Sequence, residues 1–175
     1  MKQTCRHPRL LVIIITVAGI LLDQITKLLV VSLMSYEQSI PLIPGLLSLT
    51  YIHNDGAAFG MLDDHRWIFL AVSTVTILLI GAYLFMTKSR QPLYLTSLSM
   101  ILTGGIGNMI DRVGLGYVVD FIDFSPIFPF IFNGADSFVC VGAALLFLAI
   151  LLEPKEEKAT PASDEAAPEV ADRDA

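Results

Sequence analysis

Between Asn108 and Asp136 the chain gathers four carboxylates (Asp111, Asp120, Asp123, Asp136), one arginine (Arg112) and two asparagines (Asn108, Asn133). The rest is mostly hydrocarbon: 54% of the 175 residues are hydrophobic. Ionisable groups at or inside a membrane are costly, so such a cluster is a functional candidate by default. Two close carboxylates cannot both ionise cheaply and so share a proton. One can then act as base toward a water while the other donates to a carbonyl oxygen. That is aspartyl-protease chemistry, which uses neither a metal nor a covalent intermediate. Asp136 is one candidate member. On the residues alone, Asp120 and Asp123 are rivals for the other.

Other chemistries find little support. His7, His53 and His65 show neither H-E-x-x-H nor zinc-type Cys/His spacing. No G-x-S-x-G elbow is present, and Ser32 or Ser48 beside Lys27 is an unsupported Ser–Lys pair. Gly104, Gly105 and Gly107 lack the lysine of a phosphate loop and the dinucleotide fingerprint; small residues there suit close helix packing. Cys140 lies in an apolar run, which disfavours a reactive thiolate, and Cys5 precedes the first such run, at a different depth, so a disulfide is not expected.

The net charge of −6 resides in the last 23 residues. From Glu153 onward eight acids oppose three bases, a net of −5; the remainder has nine acids and eight bases, a net of −1. This tail, rich in Ala, Pro and Glu and without aromatics, is expected to be a disordered cytoplasmic extension, 153–175. It implies no nucleic-acid partner.

What must position the cluster is a set of apolar helices. A helix needs roughly 20 residues to cross a ~30 Å hydrocarbon core. Four runs qualify, at about 10–31, 67–86, 93–110 and 133–152, the last with Asn133 as N-cap and Asp136 in its first turn. Residues 1–152 are thus expected to form one membrane domain. The first run could pass for a signal peptide, but no small-residue cleavage site follows it and Asp23, Gln24 and Lys27 come next, so a retained helix is expected. Lys2, Arg6, Arg9, Lys88, Arg90, Lys155 and Lys158 fall on one side, Arg66 and Arg112 on the other. Both termini are therefore expected in the cytoplasm, with the two long loops outside. IPLIPGLLSLTYIHNDGAAFG has β-like alternation ending in a Gly/Ala-rich turn. FIDFSPIFPFIF is aromatic and apolar, and is expected to lie on the membrane surface.

Helix rise then sets depths. Counted from the cytoplasmic end of each span, Asp23 lies ~20 Å up, Lys27 ~25 Å, Asn108 ~22 Å and Asp136 ~24 Å. Three helices thus place polar groups at one level, near the outer face of the membrane. Asp23 and Lys27, four apart, share a helix face and suit a structural ion pair. Arg112 suits either interfacial anchoring or the offer of a cation to a substrate carbonyl or a carboxylate. Asn54, in HNDG, fits an Asx-turn on spacing alone.

Five segments, in order, carry a resemblance: DQITK (Asp23–Lys27), NDGAAFG (Asn54–Gly60), GGIGNMIDR (Gly104–Arg112), GYVVDFIDF (Gly116–Phe124) and FNGADS (Phe132–Ser137). Together they make the chain resemble the bacterial lipoprotein signal peptidases, or type II signal peptidases. The resemblance implies an α-helical integral membrane protein: four transmembrane helices, a small extracytoplasmic β-like cradle and an interfacial loop segment. It implies an aspartic endopeptidase, without cofactor, of the bacterial inner membrane. Its substrates would be diacylglyceryl-modified prolipoproteins, cut just before the lipidated cysteine near the outer leaflet, among membrane lipid and by a monomer. It maps the catalytic pair onto Asp120 and Asp136, and positioning roles onto Asn54, Asn108, Arg112 and Asn133. Asp23 and Lys27 match structural positions. Gly134 stands where the family pattern has a branched apolar residue, and the acidic tail is an addition. The rival readings are a small membrane transporter, which would need a polar track to the cytoplasmic side, and a non-catalytic lipoprotein-binding subunit.

Overall fold

The computed structural model describes residues 6–55, 66–124 and 127–152. The Gly/Ala-rich turn at 56–60, His65, Cys5, Lys2 and the tail 153–175 lie outside the described residues, as does the side chain of Arg66. The element order is α1 (Pro8–Leu33), β1 (Ser39–Ile43), β2 (Leu47–Asn54), α2 (Arg66–Met86), α3 (Pro92–Gly114), β3 (Val118–Asp123), β4 (Ile131–Phe132) and α4 (Gly134–Leu151). Helices α1 and α3 each open with proline in the first turn, where the missing N–H costs nothing. Three helices (α1, α3 and α4) are long and apolar enough to cross a membrane, and α2 adds the apolar stretch Leu70–Met86.

Helix α3 is the hub, packing on α1, α2 and α4. It does so with small residues, as helices must in lipid, where no hydrophobic effect draws them together. A Cβ on Gly104 would overlap the Ala135 carbonyl of α4, and one on Gly107 would come within 2.6 Å of Asp23 Oδ2 of α1. Leu84, Leu95, Leu98 and Leu102 fill the α2–α3 contact. The opposite faces present large apolar side chains outward, among them Leu28, Leu78 and Phe147, each about two-thirds exposed. Such faces suit a lipid solvent rather than water.

The strands form one antiparallel sheet in the order β1-β2-β3-β4. The alternation of LSLTYIH does produce a strand, β2. Its partner β3 pairs Ile52 with Asp120 and Asn54 with Val118. Val119 and Phe121 of β3 join Val30 and Met34 of α1 and Tyr51 of β2 in a second apolar core, which docks the sheet on the end of α1. Two segments gain detail. The FIDFSPIFPFIF segment gives its ends to the sheet, Ile122 pairing with Phe132 and Asp123 with Ile131, since Ile and Phe suit a pleated, half-buried surface. The third span, expected to end near Ile110, stays helical to Gly114 because Asp111 finds buried partners within the fold.

Candidate active site

Strand parity separates the two rival aspartates. Asp120 and Asp123 are three residues apart on β3, and successive side chains point to opposite faces. Asp123 accepts a hydrogen bond from Thr50 Oγ1 at 2.7 Å, and that hydroxyl also meets Ser39 Oγ at 2.8 Å. It is tied into the sheet. Asp120 is buried and turns toward the helices. Its Oδ2 accepts from Asn54 Nδ2 at 2.7 Å and its Oδ1 from Asn133 Nδ2 at 2.6 Å. Asn54 is the last residue of β2 and its amide reaches across the strand pair; the Asx-turn expected in HNDG runs on into Gly56, outside the described residues.

Asp136 arrives from the other side, in the first turn of α4. Asn133 is the N-cap: its Oδ1 accepts from the Asp136 backbone N–H at 2.9 Å, and Asp136 Oδ2 accepts from the Asn133 N–H at 3.2 Å. This reciprocal capping box satisfies two otherwise orphaned donors and fixes the rotamer of Asp136. Its other oxygen accepts from Asn108 Nδ2 of α3 at 2.7 Å. The fully buried Asn133 therefore links the two carboxyl groups, donating its side-chain amide to Asp120 and its backbone N–H to Asp136. Asn108 Oδ1 receives both Asn133 Nδ2, at 3.0 Å, and Lys27 Nζ, at 3.1 Å.

Burial pushes the Asp120 carboxyl up to about 7, and the nearby Asp136 charge adds to this. The hydrogen bonds from Asn54 and Asn133 and the charge of Lys27 pull the other way without winning. A carboxylic acid of this kind keeps a proton near neutral pH. Arg112 borders the same space. Its guanidinium reaches the Asn108 carbonyl at 3.5 Å and is attracted by Asp136, Asp120 and Asp111.

Beneath these groups lies a second cluster. Lys27 Nζ bridges Asp23 Oδ2 at 3.0 Å and Asp111 Oδ2 at 2.9 Å. Asp23 Oδ1 accepts the Ala135 N–H at 2.7 Å, so a carboxylate of α1 serves as an additional cap for α4. Asp111 Oδ2 also accepts the Val119 N–H at 3.2 Å, fixing the strand that carries Asp120. Gln24 Nε2 links Asp23, the Gly107 carbonyl and Asp111 at 3.0–3.2 Å. The cluster thus joins α1, α3, α4 and β3. Gln24 escaped the sequence reading, although it shares one polar face of α1 with Asp23 and Lys27. Among the described residues no group of three or more His, Cys, Asp or Glu is arranged to hold a metal.

A family model for signal peptidase (SPase) II matches residues 15–152. The chain belongs to the signal peptidase II family. It is 44% identical over 146 residues to the lipoprotein signal peptidase of Symbiobacterium thermophilum, covering 82% of this chain and 95% of that one. With the lipoprotein signal peptidase of Caldanaerobacter subterraneus it shares 47% over 134 residues, 77% of this chain and 91% of the relative. A solved structure described as a bacterial membrane enzyme superposes with a TM-score of 0.78 at 29% identity, over 93% of this chain and 99% of that one. Membership in signal peptidase II makes the chain a peptidase of a bacterial membrane. The stretches that build the site, from Asp23 to Asp136, all lie within the matched region.

Proposed function

We propose that the chain is an aspartic endopeptidase that removes the signal peptide from diacylglyceryl-modified prolipoproteins, cutting before the lipidated cysteine, with Asp120 and Asp136 as the catalytic pair. The observation that carries this reading is the Asn133 link at the end of a membrane bundle: its side-chain amide donates to the Asp120 carboxyl and its backbone N–H to the Asp136 carboxyl, while Asp120 also accepts from the neutral amide of Asn54. Such a pair retains one proton and can hold a water between its members. The deprotonated member draws a proton from that water as it attacks the carbonyl before the cysteine. The protonated member hydrogen-bonds and protonates the carbonyl oxygen, and a proton then passes to the leaving amine. Arg112 and the asparagines orient the peptide, and Asp23 and Lys27 hold the helices that carry the pair.

In this reading α2 is the fourth span, both termini are cytoplasmic, and the sheet lies on the outer side with the dyad near the outer leaflet. That depth suits a substrate whose diacylglycerol stays in the bilayer and enters sideways. The protein acts as a monomer. A transporter would need a polar track along the bundle; the buried hydroxyls of Ser97, Ser99 and Thr103 instead donate to backbone carbonyls of their own helix at 2.7–2.8 Å.

The test is cleavage of a diacylglyceryl-modified prolipoprotein by purified protein in detergent with a chelator present, beside Asp120→Asn and Asp136→Asn. Cleavage before the lipidated cysteine by the wild type, and by neither variant, is expected. Cleavage by either folded variant at the wild-type rate overturns the assignment.

A further inference from the structure

At the opposite end of the bundle, roughly 20 Å along α1 from Asp23, a cavity of about 600 Å³ opens between the start of α1, the end of α2 and the start of α3. Its wall carries Arg6, Arg9, Lys88 and Arg90 beside the apolar Leu84 and Leu95, and among the described residues its lining holds neither Asp nor Glu. Two helix N-termini converge on it. Neither α1 nor α3 has a side-chain cap bond, so their first-turn N–H groups add positive potential to that of four cationic side chains. The Arg9 guanidinium sits 5.9 Å above the ring of Phe85, a residue that is 76% exposed on the outer face of α2. A cation is thereby held where the polar cavity meets the apolar surface of the bundle.

We propose that this cavity binds the phosphate headgroup of an anionic phospholipid, with an acyl chain lying along the adjoining apolar faces of α1 and α2. Guanidinium groups take phosphate oxygens in bidentate fashion, and basic pockets between membrane helices are the sites at which anionic headgroups are held. Four cations among the described lining residues, with no acid beside them, demand an anion. Leu10, which lines the cavity and is half exposed, and the exposed Phe85 beneath Arg9 put apolar surface beside these cations, which suits an anion that carries hydrocarbon. The acidic tail of this chain, from Glu153 onward, supplies the charge, but it has no aromatic residue and only Val170 as an apolar residue larger than Ala or Pro, so it meets only the first demand. The assignment needs helices in a bilayer and is independent of the dyad.

The experiment is native mass spectrometry of the full chain in detergent, titrated with phosphatidylglycerol or with phosphatidylcholine of the same acyl chains. Phosphatidylglycerol is expected to be retained at a concentration about tenfold lower, and the double variant Arg9→Gln/Arg90→Gln is expected to lose most of that preference. The same variant should keep wild-type cleavage of a prolipoprotein, which certifies its fold. Should it fail to fold, Lys88→Gln alone is expected to give a smaller but measurable fall. Equal retention of the two lipids by wild type overturns the proposal, as does an undiminished preference in the folded variants. A preference that appears only after residues 153–175 are removed assigns the cavity to the tail and also overturns it.

Discussion

Two groups of buried carboxylates lie side by side in this bundle and are satisfied in different ways. Asp23 and Asp111 share the ammonium of Lys27 and each also accepts a backbone N–H, from Ala135 and Val119 respectively. Cationic and backbone donors stabilise a fixed negative charge. Asp120 accepts instead from the neutral side-chain amides of Asn54 and Asn133, with burial opposing its charge. The first arrangement makes carboxylates into struts. The second leaves a carboxyl group able to take and release a proton. Aspartate does both jobs, and whether its partner is a cation or a neutral amide decides which.

The sharpest way to break this contrast is to neutralise one member of each group. Asp136→Asn or Asp120→Asn is expected to lower kcat for prolipoprotein cleavage by at least about 10³-fold, the upper range of what positioned acid–base groups contribute, while the protein still unfolds cooperatively in detergent. Lys27→Met is expected to do the reverse in kind. It leaves two buried carboxylates without their shared cation, at a cost of about 3–5 kcal/mol. The loss should appear as a lower Tm by calorimetry in detergent, with activity falling only as folded protein is lost. A Lys27→Met protein of wild-type Tm would deny the lower cluster its role as a strut.

The pH dependence sharpens the same contrast. Asp120, with its folded pKa raised to about 7 from an ordinary value of 3.8, binds a proton in the folded chain that the unfolded chain has released. Its contribution to stability is fully present below pH ~4 and is lost as pH rises through about 7. The total is on the order of 4–5 kcal/mol, since each tenfold change in proton affinity is worth about 1.4 kcal/mol. The difference in Tm between Asp120→Asn and wild type should therefore move in favour of the variant between pH 4 and 7 and stay level above pH 8. A difference that stays flat across pH 4–8 would show that Asp120 is ionised throughout.

How far the sequence already contained this arrangement depends on the kind of interaction. Helix rise alone placed Asp23, Lys27, Asn108 and Asp136 at one depth, and the structure joins them through bonds of 2.7–3.1 Å. That worked because apolar length fixes the depth of a spanning helix. Period 2 in LSLTYIH foretold β2. The short partner β4 is two residues long and carries no period of its own. The choice between Asp120 and Asp123 could not be made from spacing: it depends on which face of β3 meets the start of α4, and that follows only once Val119 and Phe121 of the opposite face pack on the end of α1 and leave Asp120 facing Asn133. The Asp111 to Val119 N–H bond and the Gln24 links span loops or separate helices, so local patterning could not disclose them.

The smallest expected effect concerns Gly134, where the strut meets the dyad. As the first residue of α4 it precedes Asp136 by two positions. A Cβ there would lie 3.1 Å from Asp23 Oδ1 and 3.5 Å from Asp23 Cα. Alanine would gain helix propensity of at most about 1 kcal/mol over glycine, and less in a first turn. Against this, Asp23 has little room to yield: Oδ1 is held by the Ala135 N–H, while Oδ2 is held by Lys27 and Gln24. Overpacking against so constrained a group costs about 1 kcal/mol or slightly more. Gly134→Ala is therefore expected to change Tm by no more than a few degrees, in the destabilising direction. Because the displaced Asp23 caps the turn that carries Asp136, kcat should fall somewhat more than stability predicts, with KM nearly unchanged. A rise in Tm at full activity would mean that Asp23 yields freely, and that α4 is held in place by the Asn133 capping box alone.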